Sequence, residues 1–313
     1  MVYWEGRRYY SLDYALKEQY HEKLYKIALN GGMTCPNRDG TLDNRGCIFC
    51  SAGGSGDFAG DSRLSITEQL QAGKQKLASK YDGCSYIAYF QAYTNTYAPV
   101  SYLRKIFQEA IAEPEVKILS IATRPDCLPD DVIALLAELQ CRKPVWVELG
   151  LQTIHEETAR LIRRGYPLSV FESAVKRLRA VGITVIVHTI LYLPGESREM
   201  MLETISWLNQ QDIQGIKLQL LHILKGTDLA DYYDAHPFYI PDLETYLSLL
   251  GECIALLRPD IVIHRVTGDG PRPLLTAPLF TLHKKHVLNS LGRYLKENDI
   301  WQGKNYLPPD RSK

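Results

Sequence analysis

Apolar positions along the chain follow two alternating rhythms. Short runs rich in β-branched residues predict strands at Tyr25–Leu29, Ser85–Phe90, Val116–Ala122, Val145–Leu151, Ile183–Leu191 and Gly215–Leu221, with a further run at Asp260–Val266. Between them apolar residues recur at helical spacing. Leu168, Phe171, Val175, Leu178 and Val181 share one face, and Ser197 is placed to cap a helix over Ser197–Gln210. Helices are also expected near 66–80, 99–112, 130–139 and 242–257, with one more at the N-terminus. Strand–helix alternation of this kind implies parallel βαβ units with right-handed crossovers. Runs such as VIVHTIL suit a sheet covered on both faces. The periodicity alone leaves a doubly wound sheet and a barrel both open.

The chain has 313 residues and 45% hydrophobic content, enough for a sizeable core and too much for disorder. No run approaches the ~18 apolar residues of a membrane span; the best, Ile183 to Leu193, is broken by Thr184, His188 and Thr189. The N-terminus has no apolar core with a small-residue cleavage site, so a cytoplasmic location and no membrane partner are expected. Formal net charge is zero, but His283 to Lys313 carries seven Lys/Arg against three acids, +4 for the tail and −4 for the rest. This is either an ordinary solvated surface or a local patch for a polyanion. A Pro-rich entry, PRPLLTAP, leads into a basic helix expected around 281–297.

Three of the seven cysteines crowd together as Cys35-x11-Cys47-x2-Cys50, in a Gly/Asn/Asp-rich loop after the first strand. Thiols grouped this way in a reducing compartment point to metal or redox chemistry. Structural zinc normally takes four ligands, whereas three cysteines suit a cubane iron–sulfur cluster with one iron left open. Zinc and unligated thiols remain the alternatives. Cys84, Cys127, Cys141 and Cys253 have no paired neighbour in sequence and are expected to hold no second cluster.

The stretch KLYKIALNGGMTCPNRDG…GCIFC, followed by YFQAYTNTYAP, IATRPDCLPD, VELGLQT, HTILYLPGE and HRVTGDGP, resembles the radical S-adenosylmethionine (SAM) superfamily, and within it the YhcC/YtqA-type branch related to Elp3-like proteins. The likeness covers nearly the whole chain. The long first cysteine gap departs from the commonest superfamily spacing and agrees with that branch. It implies an α/β fold, a partial (β/α)6 TIM-like barrel, with a core over 1–270 that includes the N-terminal helix and cluster loop. Residues 271–313 would form a C-terminal extension, a possible RNA-binding element. It implies a [4Fe-4S] cluster on Cys35, Cys47 and Cys50. By the same likeness the open iron would take the amino and carboxylate groups of SAM, and one electron from an external reductant would yield a 5′-deoxyadenosyl radical.

Site residues follow from the same likeness. Where the superfamily holds the SAM amino group this chain reads Gln91, Ala92, Tyr93, Thr94, Asn95 and Thr96, without the usual glycines. Gln91, Tyr93, Thr94 and Asn95 are the cofactor-binding candidates there, a polar loop being the simpler reading. Thr123 matches a SAM-ribose position, while Arg124 and Asp126 suit an ion pair. Glu148 and Gln152 differ by an even number and so share a strand face. A buried carboxylate is costly unless paired, which favours a catalytic role for Glu148. Arg164, in the helical stretch ARLIRRG, matches a position that clamps the SAM carboxylate, with Arg163 as rival. His188 matches a ribose-contacting site, though a core histidine is equally plausible. Pro194, Gly195 and Glu196 would approach adenine, while Lys217, Gln219 and His222 would face substrate. Arg265, Thr267 and Asp269 read as active-site floor or as a capped turn. Glu148, Lys217 and Arg265 are the catalytic candidates.

Two function classes compete. The branch implies tRNA modification at a wobble uridine, taking a carboxymethylaminomethyl group toward aminomethyl, with a methyltransferase partner acting next. The +4 tail with Tyr294, Trp301 and Tyr306 supports RNA binding. A radical SAM enzyme acting on a small metabolite needs no basic face and is the alternative. A non-enzymatic metal-binding module would leave the pocket motifs unexplained.

Overall fold

The computed structural model describes residues 4–78 and 85–308. Cys84, the end of the expected 66–80 helix, and the charged residues Asp310, Arg311 and Lys313 lie outside them. The elements in order are α1 (Leu12–Tyr20), β1 (Leu24–Leu29), α2 (Ile66–Ala78), β2 (Ser85–Phe90), α3 (Val100–Ala112), β3 (Val116–Thr123), α4 (Asp130–Gln140), β4 (Val145–Gln152), α5 (Glu156–Leu161), α6 (Leu168–Ala180), β5 (Thr184–Leu191), α7 (Arg198–Leu208), β6 (Gly215–Leu220), β7 (Ile223–Leu224), α8 (Asp228–Ala235), α9 (Leu243–Leu256), β8 (Val262–Arg265), β9 (Leu275–Ala277) and α10 (Lys284–Glu297).

Seven strands form one parallel sheet in the order β1-β2-β3-β4-β5-β6-β8, so the late apolar run is a seventh strand beside the expected six. This is a parallel half-barrel with helices outside, and the sheet runs in sequence order because each crossover adds the next strand on the same side. Ser197 caps α7 as expected, accepting from Met200 N. Helix α8, capped by Thr227, and the two-residue pairing of β7 with β9 were not apparent from the apolar pattern. Among the described residues no helix is long and apolar enough to cross a membrane.

Period-two alternation builds the concave face in layers. Leu24, Ile87, Ile118, Trp146 and Ile186 form an apolar bottom layer, which Leu16, Leu12 and Tyr20 of α1 plug from below. Two residues further along the strands come Lys26, Tyr89, Ser120, Glu148, His188 and Lys217. Two further again come Ala28, Gln91, Ala122, Gly150, Ile190 and Gln219. Tyr10 and Ser11 lie against β8, with Ile263 N donating to Tyr10 O at 2.7 Å, and so set where α1 begins.

The C-terminal helix runs away from the cavity described below. Its first residue, Lys284, lines that cavity. Val287, Leu291 and Leu295 bury its inner face. Its far end reaches the N-terminal segment: Arg8 pairs with Asp299 at 3.1 Å, and buried Gln302 accepts from Tyr10 N and donates to Arg258 O and Ile261 O, each at 2.8 Å. Tyr294, Trp301 and Tyr306 therefore do not gather at one mouth with Lys284.

Replacing Leu16 with Ala should cost about 2–5 kcal/mol, the range for emptying a buried leucine site. Urea unfolding of the variant checks this, and a change under 1 kcal/mol would show that α1 is not the plug.

Candidate active site

The cysteine loop follows β1 and is held by backbone carbonyls. Asn37 Nδ2 donates to Arg163 O at 2.7 Å, and Arg38 Nη2 donates to Ser51 O at 2.7 Å and Cys50 O at 3.1 Å. Ile48 N donates to Ile162 O, and Leu229 N donates to Ile48 O. Gly165 sits at φ +84°, and a Cβ there would lie 2.8 Å from Asn37 Oδ1, so glycine is needed both for the backbone and for the close approach.

Cys35, Cys47 and Cys50 line a single cavity of about 780 Å³, within the ~300–1,000 Å³ range of small-molecule sites. Asn37 Nδ2 and Arg163 O lie 3.5 Å from Cys47 Sγ, and Ser55 Oγ lies 3.7 Å from Cys50 Sγ. The Cys47 thiol, then Ser55 and Arg38, hold Cys50 down at about 7 against the opposing effect of burial. Among the described residues no three His, Cys, Asp or Glu side chains converge on one metal ion. Three thiols on one cavity, one short of the four ligands that a structural zinc takes, suit a cubane in which each thiolate takes a different iron and one iron stays open. Cys127 and Cys253 are buried and their thiols are pushed up to about 12, chiefly by burial, while Cys141 is exposed.

Gln91, Tyr93, Thr94, Thr123 and Gln152 line the same cavity. Gln91 Nε2 donates to Ser55 O and Tyr93 OH donates to Ala52 O, both at 2.7 Å, so the loop after β2 braces the cysteine loop. Thr123 Oγ1 lies 2.6 Å from Thr96 Oγ1. Gln152 enters by a route that parity does not describe. The β4–β5 register slips between Gly150 and Gln152, and Gln152 has φ +64°. Gly150 leaves the space, since a Cβ there would lie 2.7 Å from Gln152 Nε2.

Of two further expected SAM contacts, Arg164 borders the cavity with its guanidinium engaged by the protein, and Asn95 lies off it. Asn95 is fully buried off the cavity lining, donating to Ala122 O at 2.8 Å and Phe90 O at 3.1 Å, so it ties β2 to β3. The ARLIRRG stretch is not helical throughout. Helix α5 ends at Leu161, Arg163 has φ +56°, and both arginines follow the helix. Arg164 is 1% exposed and its guanidinium is spent on Thr153 O, Tyr166 O and Glu156. Its carbonyl receives Arg124 Nη1 at 2.9 Å, and Arg124 in turn grips Asp126 through two hydrogen bonds. Arg163 pairs with Asp228. Gly195 and Glu196 open on a separate groove with Tyr192, Phe238 and Tyr239.

Below the thiols lies the polar layer. Glu148 accepts from Lys26 Nζ at 2.8 Å and Ser120 Oγ at 2.7 Å on Oε1, and from His188 Nε2 at 2.7 Å and Lys217 Nζ on Oε2. Lys217 Nζ also donates to Tyr89 OH at 3.2 Å. Burial would raise the Glu148 carboxyl, but Lys217, Lys26 and His188 outweigh it and hold it well below its ordinary value. Burial, with Lys26 and Arg265 adding repulsion, brings Lys217 down to about 7 despite Glu148. Burial and Lys217 likewise lower His188 to about 4, so its ring is neutral at pH 7. Lys26, Tyr89 and Ser120 had no sequence motif to mark them. Their signal is positional, each standing two residues after an inward apolar residue.

Opposite the cysteines, Arg265, Asp269, Arg272 and Lys284 form the rim. Asp269 is bracketed by Arg265 at 2.9 Å and Lys284 at 3.0 Å. Arg272 is exposed and has no ion-pair partner among the described residues. Gln219 and His222 also line the cavity, whereas Thr267 is 1% exposed within the turn.

A parallel half-barrel carrying three thiols at the strand ends is the architecture of SAM-dependent radical enzymes, and the chain belongs to the radical SAM superfamily: its family model matches residues 44–208, and the Radical SAM C-terminal domain matches 213–297. Two relatives extend over nearly the whole chain. The uncharacterized protein YtqA of Bacillus subtilis is 45% identical over 95% of this chain and 92% of its own length. Protein YhcC of Escherichia coli is 38% identical over 94% and 95%. The archaeal Methanocaldococcus infernus Elp3 structure shares the fold at a TM-score of 0.68 and 16% identity, over 90% of this chain and 64% of that longer one. Over 51% of this chain and 35% of its own length, the tRNA uridine(34) acetyltransferase of Dehalococcoides mccartyi is 29% identical. The family carries a [4Fe-4S] cluster and uses SAM.

Two outcomes check the site. Anaerobic reconstitution should give about four irons per chain, the content of one cubane, and Cys47→Ala should lose both the cluster absorbance and 5′-deoxyadenosine formation. Eight irons per chain would contradict the single-cluster assignment. Acid should destabilise the apoprotein through His188. Between pH 6.5 and about 4 the unfolded histidine binds a proton that the folded one refuses, so stability falls as pH falls. Urea unfolding should show a loss of about 2 kcal/mol from this group at pH 5 relative to pH 7. His188→Gln should remove that part of the slope, and an unchanged slope would place the titration elsewhere.

Proposed function

We propose that this enzyme remodels the side chain of a wobble uridine in tRNA, taking a carboxymethylaminomethyl group to aminomethyl: the methylene between nitrogen and carboxylate would lose a hydrogen atom to the 5′-deoxyadenosyl radical and a second electron to the cluster, and water would then release the two-carbon unit as glyoxylate and leave the amine. The observation that carries the reading is the two-sided cavity: three thiols on one wall, a cationic rim on the other, and a buried polar layer beneath both. A base splayed from an RNA loop can enter such a cavity while its phosphates stay on the rim. The D. mccartyi relative is named for a tRNA uridine, which supports the substrate class.

Cys35, Cys47 and Cys50 would hold the cluster. With SAM bound, that group supplies a 5′-deoxyadenosyl radical able to abstract a substrate hydrogen. Gln91, Tyr93, Thr94, Thr123, Gln152 and His188 would bind the cosubstrate. Arg164, Arg124 and Asn95 act at one remove, fixing the loops that carry these contacts. Glu148 sets the positions of Lys26, Lys217 and His188, and Lys217, with its lowered proton affinity, is suited to exchange a proton with substrate near neutral pH. Arg265 would orient substrate from the rim. An external one-electron reductant supplies the electron, and a methyltransferase would take the aminomethyl product.

The rim, rather than the whole basic tail, is the expected docking surface. Removing the charges of Arg272 and Lys284 together should weaken tRNA binding and flatten its salt dependence by about 1.4–1.8 in log–log slope, two phosphates at ~0.7–0.9 each. Neutralising Arg293 and Lys296, further along α10, should change the slope much less. Equal effects from the two pairs would restore the tail as docking surface. Mass spectrometry of tRNA nucleosides from cells lacking the gene should show the carboxymethylaminomethyl form accumulating. An unchanged nucleoside profile would leave the small-metabolite reading in its place.

A further inference from the structure

The charges of the buried polar layer do not balance. Lys26 and Lys217 both reach Glu148, whose two oxygens are already filled by four donors. His188 is neutral, and Tyr89 brings no negative charge: its hydroxyl accepts from Lys217 Nζ at 3.2 Å, and its ring face lies 4.7 Å from Lys26 Nζ and 4.8 Å from Lys217 Nζ. The nearest further charge, Arg265, stands in register with Lys217, is itself positive, and is engaged with Asp269. Two lysines therefore share one carboxylate among the described residues, so that with both protonated the bottom of the cavity holds one positive charge in excess.

An ammonium removed from water without a counter-charge is costly, so such an arrangement persists where function uses it. Lys26 makes one hydrogen bond, to Glu148, and its side chain is 24% exposed to the cavity. Its remaining N–H donors thus face the space that substrate enters. The apolar layer of Ile87, Ile118, Trp146 and Ile186 closes the pocket directly underneath, so what binds there is the end of a group.

We propose that Lys26 and Lys217 form the receptor for a terminal carboxylate on the substrate side chain. This rests on the uridine reading, in which the substituent entering the cavity ends in a carboxylate and the product ends in an amine. The same pair then has a second consequence. An aminomethyl product is a cation facing two ammonium groups, so the layer that draws substrate in also disfavours product.

The test uses three anticodon stem-loops that differ only at the wobble position, carrying 5-carboxymethylaminomethyluridine, 5-aminomethyluridine or uridine. Their binding to the anaerobically reconstituted enzyme is read by fluorescence anisotropy. Lys26 is the position to change, because Lys217 is more deeply buried and its loss would strand Glu148. The wild type should prefer the carboxylate over uridine by about tenfold, as a charge-assisted contact would give, and should bind the aminomethyl form least. Lys26→Met should lose most of that preference by weakening the carboxylate form alone. Lys26→Gln, which keeps a donor for Glu148 without the charge, should behave alike, and Lys26→Arg should retain the preference.

If the wild type discriminates and both neutral variants, folded by their thermal midpoints, discriminate equally well, the receptor assignment is overturned while the uridine reading stands. If the wild type binds all three RNAs alike, the receptor assignment falls; nucleosides that also fail to accumulate take the uridine reading with it. A parallel loss of SAM affinity in the neutral variants would assign the ammonium pair to the cosubstrate's carboxylate and overturn the proposal.

Discussion

A single buried carboxylate organises the centre of this molecule. Glu148 has a fully buried side chain and receives four donors from strands β1, β3, β5 and β6. Removing a carboxylate from water is costly, and the cost is offset only if its lone pairs are filled and opposite charge is close. The sheet meets both conditions because its strands bring the same layer into line. The arrangement is reciprocal. Lys217 is held in a dry site by the acid beside it, and His188 stays uncharged because burial and the neighbouring Lys217 outweigh its hydrogen bond to Glu148.

Above that layer the protein separates two jobs. One wall is built almost entirely from backbone carbonyls gripped by side chains: Asn37 on Arg163, Arg38 on Ser51, Arg124 on Arg164, and Arg164 on Thr153 and Tyr166. Charged donors on carbonyls give firm, directional contacts, suiting a loop whose thiols must keep fixed positions. The opposite wall is exposed and cationic, with one acid, Asp269, shared by Arg265 and Lys284. Reactive chemistry is thereby kept over a closed apolar floor, and a large polyanion has somewhere to rest outside.

Much of this was legible in the chain before the fold. The strands were visible because a sheet covered on both faces demands apolar, β-branched runs, and the thiols because their spacing suits few other purposes. Glu148, His188 and Lys217 stood out as polar residues inside such runs. Lys26 and Tyr89 sit in equivalent places, but their significance depends on register, which one strand does not reveal. Gln152 does reach the cavity that Glu148 lines, but through a bulge at Gly150 to Gln152, to which parity counting has no access. ARLIRRG reads as helix throughout, yet Gly165 and the positive φ of Arg163 turn the chain and redirect both arginines inward. Asn95 looked like a ligand because a polar residue near a site does. Its burial and its two carbonyl partners were decided by the strand ends it joins. Sequence leaves the basic tail as a solvated surface or one patch, and helix geometry, at ~1.5 Å per residue, carries its far end away from the cavity that Lys284 lines.

In the proposed reaction Glu148 couples the radical chemistry to the substrate side chain. The direct measurement is the ratio of 5′-deoxyadenosine formed to uridine modified, in Glu148→Gln and wild-type enzyme with the same tRNA. The glutamine keeps the size and an acceptor but gives up the charge that holds Lys26 and Lys217. The account predicts that the ratio rises steeply, because SAM is cleaved while the side chain is no longer held for reaction. A ratio equal to that of the wild type, in a folded variant with a full cluster, would contradict it.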